Sequence, residues 1–174
     1  MGCDIHSFAE VRRDGKWERV VNIFPADEWE RKYYNLDFMD EPFRCRSYGL
    51  FGFLANVRNY SAIPPLSAPK GLPDDLSEGV MEHTAGDVWD GHSSSWFSLD
   101  ELLAFDYSQP VEDRRCAVQT GPNSWDGGAT AEPGAGAMTT YQEFLPEEYF
   151  ESLAVLKREV ADPKDARIVF WFDN

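Results

Sequence analysis

The sequence is short of several things, and each shortage excludes something. No apolar run reaches the roughly 20 residues that a membrane helix needs, and no charged-then-apolar opening marks a signal peptide. The Met-Gly-Cys opening has His6 where an acylation pattern wants Ser or Thr, so lipidation is not expected. Cysteine is scarce: Cys3, Cys45 and Cys116 are far apart, odd in number and form no Cys-x-x-Cys. That argues against a disulfide scaffold and a structural zinc knot, and for reduced thiols in a cytoplasm. Basic residues are few as well, 16 Lys and Arg against 31 Asp and Glu, for a net charge of −15. Such a surface repels phosphate backbones, so direct nucleic-acid binding is not expected. It suits a basic partner, including a host protein whose nucleic-acid groove it would occupy. No His-Glu-x-x-His, EF-hand loop or Gly-x-Ser-x-Gly elbow is present.

What is there suffices for a core. The chain is 43% hydrophobic and 14% aromatic over 174 residues, which fits a single domain spanning 1–174. The opening residues alternate as a strand, and Asp14-Gly15 suits a tight primed turn, so residues 3–13 and 16–22 read as a hairpin. Centring the turn there sets Glu10 against Arg19 and Arg12 against Trp17. A strand beginning at the terminus is expected at a sheet edge. The closing run, Arg167 to Phe172, is apolar on both faces and belongs inside the sheet. If the termini pair antiparallel, Asp4 and His6 come beside Asp173.

Helices are expected over about 27–36, 47–57, 76–83, 99–105 and 146–161. Ser98 and Glu101 form a capping box, and Pro146, Glu147 and Glu148 suit a helix start. Tyr149, Leu153, Leu156 and Val160 make that last helix's buried stripe. Prolines at 64, 65, 69 and 73 make 59–75 a loop. Residues 120–138, rich in Gly and Ala, read as a mobile loop. The fold class is α+β: a small, mostly antiparallel sheet containing both termini, with helices packed on one side.

The three histidines keep acidic company. His6 shares a strand face with Asp4, His83 precedes Asp87, and His92 follows Asp90. Asp4, His6, Asp90 and His92 are thus candidate ligands for a divalent metal, zinc or manganese, that would activate a water. The alternative is that these histidines hydrogen-bond neighbouring carboxylates. Ser93 follows His92 directly, and Arg44, Arg46 and Arg58 are the one basic concentration, suited to clamping a phosphate or carboxylate. With Asp173 these residues make up the candidate ligand site. Cys3 and His6 fall on opposite faces of a strand, which speaks against a nucleophile–base pair.

The opening Met-Gly-Cys-Asp-Ile-His, the stretch His92-Ser93-x-Ser95-Trp96 and the ending Val169-Phe-Trp-Phe-Asp-Asn174 resemble a family of tailed-phage and bacterial proteins. The resemblance brings no catalytic residues with it. It implies a protein acting in the cytoplasm of a bacterial host, during phage infection. Two function classes follow. One is a polar Asp/His site that takes a small anionic or nucleotide-like ligand, with metal-assisted hydrolysis as its enzymatic form. The other is a non-enzymatic acidic protein that binds and inhibits a host factor.

Overall fold

The computed structural model describes residues 2–26, 28–33, 39–85, 90–122 and 124–174, with backbone alone for 117–121 and 124–129. Its centre is the pairing of the chain's two ends. Strands β1 (Asp4–Arg13) and β8 (Ala166–Asp173) run antiparallel, with Asp4 opposite Asp173 and Val11 opposite Ala166. β2 (Lys16–Arg19) folds back on β1 in the register the Asp-Gly turn sets, Glu10 facing Arg19 and Arg12 facing Trp17. Asp14 and Gly15 both take the positive φ that such a turn demands, 50° and 80°. β3 (His92–Ser98) adds to the far side of β8, giving the order β2-β1-β8-β3, antiparallel throughout.

β8 is therefore interior, as its doubly apolar sequence demands. β1 is interior too, where an edge was expected. β2 covers only residues 10–13 of it; ahead of that, residues 41–43 take the free side. The Ser7 N–H donates to Glu41 (3.3 Å), and Ser7 Oγ exchanges hydrogen bonds with the N–H and C=O of Phe43. These bonds satisfy backbone groups that an unpaired strand would leave open.

Each face of the sheet has its own cover. On one, Ile5, Ser7 and Ala9 lie beside Phe172, Phe170 and Ile168. Phe43 sits over Ser7 and packs on Tyr149 of helix α6 (Glu147–Lys157), their rings 5.4 Å apart. α6 buries Tyr149, Leu153 and Leu156, each stabilising by about 1.5–3 kcal/mol relative to exposure. α4 (Leu99–Ala104) starts at the expected Ser98/Glu101 capping box and adds Leu99 and Leu102 to the core. The opposite face is covered by α3 (Glu78–Thr84), whose Val80 packs on Phe8 and Trp171 with Leu72 and Leu76 beside them. Helices thus lie on both faces, where one was expected. α1 (Glu28–Tyr33) has no buried residue; the rest of its expected span, 27 and 34–36, lies outside the described residues.

Contacts divide the chain into two compact units. The sheet, α1, α3, α4 and α6 belong to the first, made of Met1–Arg46, Pro69–Phe105 and Glu147–Asn174; the second is Ser47–Ala68 with Asp106–Pro146. The second unit is centred on α2 (Tyr48–Ala55), buried from Gly49 through Ala55. Its glycines are packing residues: a side-chain carbon on Gly52 would stand 2.8 Å from Asn59 Oδ1. The same unit holds α5 (Tyr141–Phe144) and two antiparallel ladders, β4 (Pro110–Asp113) with β7 (Ala137–Thr140) and the hairpin β5 (Arg115–Gly121) with β6 (Ser124–Thr130). Most of 120–138, expected as a loop, is therefore strand and turn. Ladder bonds are made by the backbone, so Gly and Ala do not prevent them.

Candidate functional site

At the open ends of β1 and β8, the register places Asp4 opposite Asp173, with His6 two residues in on the same face. His6 is held from both ring nitrogens. Nε2 lies 3.0 Å from Asp173 Oδ2, and Nδ1 lies 3.5 Å from Glu41 Oε1. Glu41 is buried, with its other oxygen accepting the Ser7 N–H. Two carboxylates against one imidazole favour the charged ring. Glu41, and then Asp173, outweigh the opposing effect of burial and raise the His6 pKa from 6.5 to about 9. Burial pushes Glu41 itself upward, opposed by His6 and the Ser7 N–H. With its pKa raised, the ring is an imidazolium at neutral pH, donating Nε2–H to Asp173 and ion-paired through Nδ1 with Glu41.

Beside it, Arg46 donates Nε and NH2 to the two oxygens of Asp4 at 2.7 and 2.5 Å, a bidentate fork. Arg46 keeps the Asp4 carboxyl below its ordinary pKa. Arg44 is anchored by the carbonyls of Pro25 and Met39, with Glu30 at 3.9 Å. These groups and Cys45 line a pocket of about 240 Å³. The Cys45 thiol is pushed up to about 12 by burial and Glu148, so it is no thiolate at neutral pH.

Of the residues expected in the site, Asp4, His6, Asp173, Arg44 and Arg46 meet in this pocket. His92 does not join them. It pairs with Phe172 and stacks on that ring at 6.0 Å, whereas His6 pairs with Trp171. Successive residues of β8 point to opposite faces, so the sheet lies between the two histidines. Asn174 Nδ2 and Ser93 Oγ are the polar neighbours of His92, at 3.2 and 3.0 Å. Ser93 sits at φ 51° in an irregular stretch of β3, and Asp90 is exposed ahead of that strand. Arg58 belongs to the second unit. His83 accepts from Arg19 at 2.8 Å and stacks on Phe8, while Asp87 lies outside the described residues.

The expected metal site is therefore not assembled from Asp4, His6, Asp90 and His92. Among the described residues no group of three or more His, Cys, Asp or Glu is disposed to hold a metal ion. Glu41 is the member the sequence reading did not place here. It follows Asp40 and precedes Pro42 in a stretch without periodicity, and only the fold brings it to His6.

No family model, curated protein or solved structure matches the chain. Among the described residues no helix is long and apolar enough to cross a membrane.

Proposed function

We propose that the pocket at the strand ends binds a small anionic ligand, with the His6 imidazolium and the Arg46 guanidinium as its recognition groups. One observation carries this reading: both cations line one pocket and are held by carboxylates, Asp173 and Asp4, that are themselves partly exposed. A ligand carboxylate or phosphate offers the same oxygens and displaces them without opening the core. Arg46 already presents the planar fork that bidentate anion recognition uses. A volume of about 240 Å³ falls below the usual 300–1,000 Å³ of drug-sized ligand sites. The ligand is accordingly a compact anion or the phosphate end of a nucleotide. With its raised pKa, His6 serves as a cation or proton donor and is a poor general base at neutral pH. The setting is the cytoplasm of a phage-infected bacterium, in line with the sequence resemblance.

Calorimetric titration with orthophosphate, a nucleoside monophosphate and a short dicarboxylate tests the reading. Saturable binding by at least one, weakened about tenfold or more (1.4 kcal/mol) in Arg46→Met, is expected. Heats indistinguishable from dilution for all three would overturn it.

A second reading, an acidic protein that blocks a basic host factor, is favoured by α1. Its Trp29 and Tyr33 are 58% and 60% exposed beside Glu28 and Glu30. Exposed aromatics are an interface signature. Capture of a basic partner that weakens steeply between low and physiological salt is its expected mark.

A further inference from the structure

The pocket at the strand ends is electrically balanced, and that balance limits what can enter it. His6, Arg44 and Arg46 line it against Asp4, Glu41 and Asp173. Two of these six are committed to the fold. Glu41 is buried and accepts the Ser7 N–H, and Arg44 is tied to the carbonyls of Pro25 and Met39. The other four make two opposite-charge pairs, His6 with Asp173 at 3.0 Å and Arg46 with Asp4 at 2.7 Å. All four side chains are partly open to solvent, so these pairs can exchange partners without disturbing the core.

Asp4 and Asp173 are also cross-strand neighbours, opposite one another in the β1–β8 register. Facing residues of a ladder stand about 4.5–5.5 Å apart, and like charges placed so repel. Within the protein each of these carboxylates is neutralised by its own cation. An anion that takes His6 Nε2 and the Arg46 fork for itself removes both counter-ions. It leaves two carboxylates side by side, next to the charge that displaced them. Arg44, turned to its carbonyls and to Glu30, does not relieve them. A bare anion therefore undoes part of what it gains.

A ligand with an ammonium beside its carboxylate meets both demands. The carboxylate replaces Asp173 and Asp4 at the two cations, and the ammonium brings three donors to the two acids so released. Every charge exchanges one partner for another, and none is left over. The protein's own pairs are close, so the ligand's two charges must be close as well, as they are on the single α-carbon of an amino acid. A volume of about 240 Å³ keeps the ligand small.

We propose that this pocket takes a small α-amino acid as its zwitterion, with the carboxylate on His6 Nε2 and Arg46 and the ammonium between Asp4 and Asp173. Glu41 keeps its place at Nδ1 and holds the ring while Nε2 changes partner. The inference rests on the anion-pocket reading and narrows its ligand to one that carries its own counter-charge.

Calorimetric titration of the full chain with glycine, L-alanine and L-serine tests it, each beside the acid that lacks the amino group: acetate, propionate and 3-hydroxypropionate. Saturable binding of at least one amino acid is expected, at least ~10-fold tighter than its deaminated counterpart. Asp4→Asn should move the two ligand types in opposite directions, weakening the amino acid and tightening the simple acid. Equal affinity within each couple, or a variant that weakens both ligand types alike, would overturn the zwitterion and leave the anion reading in place. Saturable binding of orthophosphate with none of any amino acid would do the same. Absence of binding by every ligand, orthophosphate included, would overturn both.

Discussion

Two charged clusters lie on the same face of the same two strands, and their difference separates structure from function. The first is Glu10 with Arg167, cross-strand neighbours in the middle of β1 and β8. Arg167 Nε donates to Glu10 Oε2 at 2.6 Å, NH1 and NH2 donate to the Asp75 side chain and carbonyl, and Trp17 stacks 4.0 Å over the guanidinium. Glu10's second oxygen accepts the Ser77 N–H. Both residues are buried and their polar groups are engaged within the protein, so this cluster fastens residues 75–77 to the sheet. The second is His6 with Glu41 and Asp173, joined by Asp4 with Arg46 at the strand ends. Only Glu41 is buried there, and the remaining groups open onto a pocket. Closed, satisfied charge holds a fold together; charge left at an open strand end is available to a ligand.

The largest effect that can break this comparison is in the closed cluster. Arg167→Met leaves Glu10 buried without its counter-ion and should destabilise the protein by about 3–5 kcal/mol in urea unfolding. A loss under about 1 kcal/mol would mean that the two clusters do not differ as described. The open cluster should respond in the opposite sense. His6→Gln should lower anion affinity about tenfold or more while changing stability at pH 7 by only about 1 kcal/mol. A variant that melts as early as Arg167→Met would make His6 a structural residue.

A smaller effect follows from the raised His6 pKa. A group whose folded pKa exceeds its unfolded value binds its proton more tightly when folded. The stability His6 contributes is therefore complete below pH 6.5 and is lost as pH rises through about 9. Melting temperature should fall across that window in the wild type and much less in His6→Gln; parallel curves would contradict the shift. The smallest effect is expected for Asp4→Asn. Its partner Arg46 is 55% exposed, and such pairs contribute about 0–1 kcal/mol. A larger loss would show that the strand-end cluster also fastens the fold.

The sequence was most legible where a local rule set the geometry. The Asp14-Gly15 turn determines its register by itself, and the apolar alternation of 167–172 requires burial on both faces. Together these two elements put Asp4, His6 and Asp173 in one place. Legibility failed where contacts between distant segments decide. Residues 41–43 completing the free side of β1, and with them Glu41, have no local signature. β3 was missed because His92 to Ser95 is polar and its ladder is irregular. That strand is held by pairing with β8, not by its own apolar pattern. The expected His6–His92 site failed for a simpler reason: neighbouring residues of the strand between them point to opposite faces.

The central claim is that His6 is an imidazolium poised to meet an anion, and the ring itself reports this most directly. Imidazole ¹⁵N chemical shifts of His6, followed from pH 5 to 10 with and without orthophosphate, would give its charge state and its response together. The account predicts a ring protonated at neutral pH, titrating near 9, with Nδ1 and Nε2 shifts that move saturably as phosphate is added. A ring that titrates near 6.5 and ignores phosphate would contradict it.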